Sequence, residues 1–234
     1  MTKVALITGG NRGIGREIAL AYQAAGFQVF ITSRNMTELA GCTTLIADLT
    51  QQGAADAIFD QIEGAGYQVD VLVANAGISR ETLLIRTSDD DIEYLLQTNL
   101  AATMRLCRRA AKSMMKQRSG SIVLIGSVLG MSGSAGSTIY AATKSALIGM
   151  ARSMARELGS RNIRVNVVAP GYVNTDMTNS LPNNFKDQVV SQTPLGRIAE
   201  PAEIAKTVLF LGSEDASFIT GAVIPVDGGL GMGN

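Results

Sequence analysis

No histidine occurs among the 234 residues, which removes a Ser-His-Asp hydrolase and any histidine metal site, and no metal site is expected. Only two cysteines are present, Cys42 and Cys107. They make no disulfide framework, so a reducing cytoplasm is the expected location and both read as packing residues. Neither sign of charge is in excess: 20 Lys and Arg balance 20 Asp and Glu. That balance gives no support for a nucleic-acid partner. No segment approaches the roughly 18 uninterrupted apolar residues of a membrane span, so no membrane partner is expected. Met1-Thr2-Lys3 runs directly into a short apolar strand without a signal-peptide layout. Internal repeats, linkers and low-complexity stretches are also missing.

What is present is a chain 46% hydrophobic and 17% charged, with mean hydropathy +0.19. That suits one compact α/β domain spanning 1–234. Short apolar runs predict strands at Val4–Ile7, Gln28–Ser33, Thr44–Ala47, Val71–Val73, Ile122–Ile125, Ile163–Val168 and Ala222–Val226. Helical patterns lie between them, at about 16–25, 51–65, 89–115, 140–158 and 201–211. Asn99 falls in the middle of the third, a poor helix position that marks a kink or a polar contact. Residues 174–192 read as polar and irregular, a candidate lid. Alternating strands and helices imply a doubly wound parallel sheet of about seven strands with helices on both faces. Ligands of such sheets lie at the carboxyl ends of the strands.

The chemistry concentrates between Ser121 and Lys144. The strand Ile122–Ile125 empties into Gly126-Ser127, and a Gly- and Ser-rich loop leads to Tyr140-Ala141-Ala142-Thr143-Lys144, which opens a long helix. Residues 140 and 144 are one turn apart and share a face. A ketone reduction needs an acid for the oxygen. A free phenol, with a pKa of about 10, is a sluggish one at neutral pH. An ammonium alongside is expected to pull that value down, and Ser127 can donate a second hydrogen bond to the same oxygen. Alone, the Tyr-x-x-x-Lys spacing also fits an ordinary surface pair.

The first strand is followed by Thr8-Gly9-Gly10-Asn11-Arg12-Gly13-Ile14-Gly15 and then a helix. Strand, glycine turn and helix in that order, the Rossmann-type start, let the backbone approach a pyrophosphate and set its charge on a helix N-terminus. The spacing is Gly-x-x-x-Gly-x-Gly, at 9, 13 and 15. The second strand ends at Arg34 with no acid before Glu38. Arginine there suits a ribose 2′-phosphate, and Arg12 supplies a second positive charge, so NADP is favoured over NAD. A solvated Arg34 is the plainer alternative. Asn75-Ala76-Gly77, past the fourth strand, fits either a wall for a cofactor or a tight turn. The run Arg105, Arg108, Arg109, Lys112, Lys116, Arg118 fits a solvated face or a docking surface for an acidic carrier.

Taken together, Thr8-Gly9…Gly13-Ile14-Gly15, Asn75-Ala76-Gly77, Asn99, Ser127, Tyr140 with Lys144, and Pro170-Gly171 resemble the short-chain dehydrogenase/reductase family over essentially the whole chain. Within it, Leu83–Arg86, Asn166–Tyr172, Thr175–Thr178 and Ile219–Ala222 are most similar to the bacterial 3-oxoacyl-[acyl carrier protein] reductases. The resemblance implies NADPH-dependent reduction of a 3-oxoacyl thioester on acyl carrier protein, in fatty-acid synthesis, by a homotetramer. It implies Tyr140 as proton donor, Lys144 on the nicotinamide ribose, Ser127 on the keto oxygen, and Asn99 holding a water that feeds a proton relay to Lys144. The cofactor would meet Gly9, Asn11, Arg12, Gly13, Ile14 and Gly15, with Arg34 at the 2′-phosphate. Asp48 and Leu49 would flank the adenine and Asn75, Ala76 and Gly77 would line the adenosine ribose. Pro170 and Gly171 complete that set, with Val173 and Thr175 at the carboxamide. Ser121 stands where related reductases often carry a carrier-docking arginine; Arg161 matches the second such position and Arg118 lies near enough in sequence to substitute. Two other readings stay open: a reductase of the same fold acting on acyl-CoA or another small ketone, and a non-catalytic nucleotide-binding scaffold.

Overall fold

Apolar runs without polar alternation belong to strands buried on both faces, which is the situation in a parallel sheet. The computed structural model describes residues 2–179 and 183–232, and it places seven such strands in one sheet. They are β1 Val4–Thr8, β2 Gln28–Ser33, β3 Cys42–Ile46, β4 Val71–Ala74, β5 Gly120–Ile125, β6 Ile163–Pro170 and β7 Val223–Val226. The order is β3-β2-β1-β4-β5-β6-β7, every neighbouring pair parallel. Strand order reverses between β1 and β4, where Ile7 pairs with Val73. The crevice for a ligand therefore opens beyond Thr8 and Ala74. Helices α1 Gly13–Ala24, α2 Ala54–Gly64, α3 Asp89–Leu95, α4 Ala102–Gln117, α5 Leu129–Ser132, α6 Thr138–Leu158, α7 Asp176–Asn179, α8 Asn183–Gln192 and α9 Pro201–Gly212 fill the connections.

Side chains of one strand alternate between the two faces. Leu6, Leu72, Ile122 and Leu124 pack under α2, α4 and α6 through Phe59, Leu106, Met114 and Leu147. Ala5, Ile7, Val71, Val73 and Val123 pack against α1 and α9 through Ile18, Tyr22, Ile204 and Val208. Each large apolar side chain sealed this way contributes about 1.5–3 kcal/mol. Tyr22 crosses between the two helices of that second layer. Its hydroxyl donates to the carbonyl of Val208 at 3.1 Å, and burial raises its pKa above the ordinary phenol value. Gly212 leaves the room, since a Cβ there would stand 1.9 Å from the Tyr22 oxygen. No helix among the described residues is long and apolar enough to cross a membrane.

The structure departs from the sequence expectations in three places and meets one at Asn99. α1 begins at Gly13 rather than near Arg16, so the last glycines of the turn already belong to the helix. The interruption expected at Asn99 is present: the 89–115 pattern is broken at Leu96–Ala101 by a π-helical stretch that contains Asn99, a looser ladder that accommodates a poor helix former. The segment 174–192, expected to be irregular, carries α7 and α8; residues 180–182 of it lie outside the described set. Finally, Arg109 is no part of a free basic face. It packs over the Phe59 ring and bonds Asp60 and Glu63 of α2 at 3.2 and 2.8 Å, joining α2 to α4.

Candidate active site

Thr8 ends β1, and its side chain ties the switch point together. Its hydroxyl accepts from the backbone N–H groups of Asn75 and Ala76, both at 3.0 Å. The Asn75 amide in turn donates to the carbonyl of Thr8 at 2.9 Å and that of Gly9 at 3.3 Å. Of the glycines at 9, 13 and 15, two are required by conformation and one by space. Gly9 and Gly13 have φ of 63° and 52°, the left-handed region that costs other residues strain. At Gly15 a Cβ would stand 2.2 Å from the Gly9 carbonyl oxygen and 2.4 Å from Asn75 Nδ2. The turn, α1 and the β4 loop thus interlock. α1 has no side-chain cap and no acid in its first turn, so its free N–H groups and positive dipole end face the crevice unneutralised.

Around this turn lie the other expected cofactor residues. Asn11 and Ile14 are half-buried and Arg12 is exposed. Arg34 and Asp48 follow the neighbouring strands β2 and β3, both exposed, with Leu49 half-buried. The Thr50 hydroxyl donates to Asp48 at 2.7 Å and its N–H at 3.0 Å; these bonds hold the Asp48 carboxyl below its usual range, and the Arg34 charge adds to the effect. On the other wall, Gly171 bonds Val226 at 3.1 Å, Val173 bridges Ala199, and a Cβ on Gly13 would lie 3.4 Å from the Thr175 methyl. Residues 171–175 therefore return to the glycine turn.

Ser127 follows β5 at its carboxyl end, held by Val128 N–H donating to the Pro170 carbonyl at 3.0 Å. Its oxygen accepts from Leu129 N–H at 3.2 Å. Gly130 lets α5 lie on α6, because a Cβ there would meet the Lys144 backbone at 2.8 Å. The Ser127 hydroxyl lies near enough across this contact to act on the Tyr140 phenol. Burial raises the Tyr140 phenol above its ordinary value, the Ser127 hydroxyl pulls it back, and Tyr172 adds to the rise. The expected downward pull from the ammonium is not what prevails. Lys144 is itself buried, with Nζ donating to the Ile125 carbonyl at 2.7 Å and lying 5.7 Å from the Tyr140 ring centroid. Desolvation pushes Lys144 down to about 8.

Asn99 reaches the same place from the π-helical stretch. Its Oδ1 accepts from Ile78 N–H and its Nδ2 donates to the Ile78 carbonyl, both at 2.9 Å. So Asn99, Ser127 and the Tyr140–Lys144 turn come from three separate chain segments to the carboxyl end of β4 and β5. Arg118 and Arg161 do not join them. Both are exposed and precede the paired starts of β5 and β6, the opposite edge of the sheet, about 20 Å away for a strand of this length. Ser121 is buried instead, its hydroxyl donating to the Leu211 carbonyl at 3.1 Å under α9. The sequence reading gives no role to Tyr172, which meets the Phe185 ring edge-on at 5.7 Å and whose phenol adds to the rise of the Tyr140 pKa. An aromatic residue directly after Pro170-Gly171 was the available signal.

Comparisons with known proteins agree with this geometry. Residues 9–231 match the family model described as enoyl-(acyl carrier protein) reductase. The chain is 44% identical over 234 residues to the 3-oxoacyl-[acyl-carrier-protein] reductase MabA of Mycobacterium bovis, covering 100% of this chain and 95% of that one. It is 42% identical over 238 residues to the 3-oxoacyl-[acyl-carrier-protein] reductase FabG of Salmonella typhimurium, covering 98% of each. Among solved structures, a proposed gluconate dehydrogenase from Agrobacterium tumefaciens superposes with a TM-score of 0.93 at 30% identity, over 98% of this chain and 96% of that one.

Proposed function

Because the chain belongs to the short-chain dehydrogenase/reductase family, whose members bind a nicotinamide cofactor, we propose that it reduces 3-oxoacyl thioesters on acyl carrier protein to 3-hydroxyacyl thioesters, using NADPH, in cytoplasmic fatty-acid synthesis. The observation that carries this reading is the buried Lys144 ammonium held 5.7 Å from the Tyr140 ring centroid, with Ser127 just past the end of β5 on the same side of the sheet. Two hydroxyl donors converging on one point suit a carbonyl oxygen that gains negative charge. In the proposed reaction Tyr140 hands its proton to that oxygen while Ser127 donates a second hydrogen bond. Lys144 keeps a positive charge beside the phenolate that Tyr140 becomes, and Asn99 fixes the β4 loop that walls the site.

The chain also fits the cofactor. The uncapped N-terminus of α1 and the interlocked glycines suit a pyrophosphate. Gly9, Asn11, Arg12, Gly13, Ile14 and Gly15 would hold it, with Arg34 at the 2′-phosphate and Asp48 and Leu49 beside the adenine. Asn75, Ala76 and Gly77 would line the adenosine ribose, and Tyr140 and Lys144 the other ribose. Pro170, Gly171, Val173 and Thr175 would close over the nicotinamide, which when bound supplies the hydride. Arg34→Ala is expected to cut the preference for NADPH over NADH by about tenfold or more, as a charge-assisted bond to phosphate implies. Binding titrations with both cofactors check this, and an unchanged ratio removes Arg34 from the site.

We place residues 1–234 in one catalytic domain and assign a homotetramer as the working state. Arg118 and Arg161, which have no ion pair among the described residues, are the proposed contacts for the acidic carrier. The functional test is a kinetic comparison of a 3-oxoacyl group on carrier protein, the same group on CoA, and an enoyl thioester. Carrier-linked 3-oxoacyl substrate is expected to be preferred and the enoyl thioester left unreduced. Arg161→Glu is expected to lower kcat/KM on the carrier-linked substrate alone. Equal loss on both 3-oxoacyl substrates would remove the docking role, and a preference for CoA would replace the carrier.

A further inference from the structure

Between the two residues of the Tyr-x-x-x-Lys spacing sits a side chain that the proposed reaction does not use. Thr143 is fully buried at 0% exposure. Its hydroxyl donates to the Tyr140 carbonyl at 2.7 Å and accepts from Asn99 Nδ2 at 3.2 Å. In an α-helix the Tyr140 carbonyl is also the acceptor for the N–H of residue 144. A bond from a threonine to its own preceding turn is common in helices. The bond from Asn99 is not of that kind, since it comes from another element, 44 residues away.

The bond satisfies the last donor of the Asn99 amide. The Asn99 amide has one acceptor oxygen and two N–H donors. Its oxygen takes Ile78 N–H, one donor takes the Ile78 carbonyl, and the other takes Thr143. Asn99 belongs to a π-helical stretch, where the backbone ladder is less regular, so its orientation depends on these side-chain bonds. The same wall faces the site: a Cβ on Gly77 would stand 3.2 Å from Asn99 Oδ1 and 3.4 Å from Lys144 Nζ. We infer that Thr143 is a positioning residue, whose hydroxyl locks the Asn99 amide to the first turn of α6 so that the β4 loop, Asn99 and the Tyr140–Lys144 turn keep one geometry.

The kinetic part of this inference rests on the functional reading above. Thr143→Val keeps the shape and removes the hydroxyl, leaving one buried Asn99 N–H without a partner. It is expected to lower kcat by about tenfold or more, the rate equivalent of one lost buried hydrogen bond, with KM for thioester and NADPH nearly unchanged. Thr143→Ser, which keeps the hydroxyl, is expected to restore kcat. A packing role alone would instead be hurt by the lost methyl and not rescued. Thr143→Ala is the second variant if the valine protein fails to fold, with the same kcat-selective loss expected. Amide hydrogen exchange at Ile78, read by NMR, is independent of any substrate and is expected to speed up in Thr143→Val and not in Thr143→Ser. A folded valine or alanine variant with wild-type kcat and wild-type Ile78 exchange overturns the inference. Wild-type protein that reduces no 3-oxoacyl thioester, with exchange at Ile78 still answering to the Thr143 hydroxyl, overturns the functional reading and leaves the positioning role standing.

Discussion

Tyr140→Phe is expected to lower kcat for 3-oxoacyl reduction by about 10²–10⁴-fold, the range that a positioned general acid supplies. The change removes one oxygen and leaves the ring in place on α6, so folding and NADPH affinity are expected to change far less than turnover. The pH profile follows from the same environment. Burial raises the Tyr140 pKa, so the phenol stays protonated, the form that donates, throughout the neutral range. Lys144, pushed down to about 8, loses its charge above that value. Reduction is therefore expected to be level below about pH 8 and to decline above it, as the cation that steadies the emerging phenolate is lost. Steady-state kinetics from pH 6 to 10 on wild type and Tyr140→Phe check both statements. A rate that climbs through pH 8, or a phenylalanine variant near wild-type turnover, would assign the proton to another group.

Gly15→Ala is expected to be the most damaging single methyl in the glycine turn. The added carbon would meet the Gly9 carbonyl oxygen at 2.2 Å and Asn75 Nδ2 at 2.4 Å, and neither can yield without breaking the Thr8–Asn75 clasp. Overpacking of this kind costs about 1–3 kcal/mol of stability. It also lifts the α1 N-terminus away from the turn, so NADPH affinity is expected to fall by at least about tenfold, equivalent to 1.4 kcal/mol. Gly64→Ala is the matched control. Gly64 lies at the end of α2 with nothing within 4 Å of its Cβ position, and alanine there is expected to be neutral or stabilising by about 0.5–1 kcal/mol. Thermal melts and cofactor titrations of the two variants separate them. Equal behaviour would mean that the turn tolerates a side chain and that its glycines are not required by the close approach.

The strands were legible because a parallel sheet hides both faces. Runs such as Val4–Ile7 and Ile122–Ile125 leave no polar alternation to misread, and Gln28–Ser33 matches β2 residue for residue. Placing Ser127, Tyr140 and Lys144 together was also legible, since one residue ends a strand and the others are one turn apart on the next long helix. What the chain order hides is set by contacts between distant segments. Arg109 reads as one of a basic run until Asp60 and Glu63 arrive from another helix. Ser121 lies inside the sheet beneath α9 rather than on a docking face. The helix Asn183–Gln192 has only a weak apolar pattern, and its Phe185 meets the Tyr172 ring edge-on. The direction of the Tyr140 shift was misread for the same reason: the ammonium is visible in the sequence, while the burial that outweighs it is a property of the packed protein.

The most direct measurement is a single-turnover reaction of purified protein with NADPH and an acetoacetyl-loaded carrier protein, the acyl product identified by mass spectrometry. The expected product is the 3-hydroxybutyryl thioester, heavier than its substrate by one hydride and one proton, formed as NADPH is consumed in equal amount. An unreduced thioester in the presence of bound NADPH would contradict it.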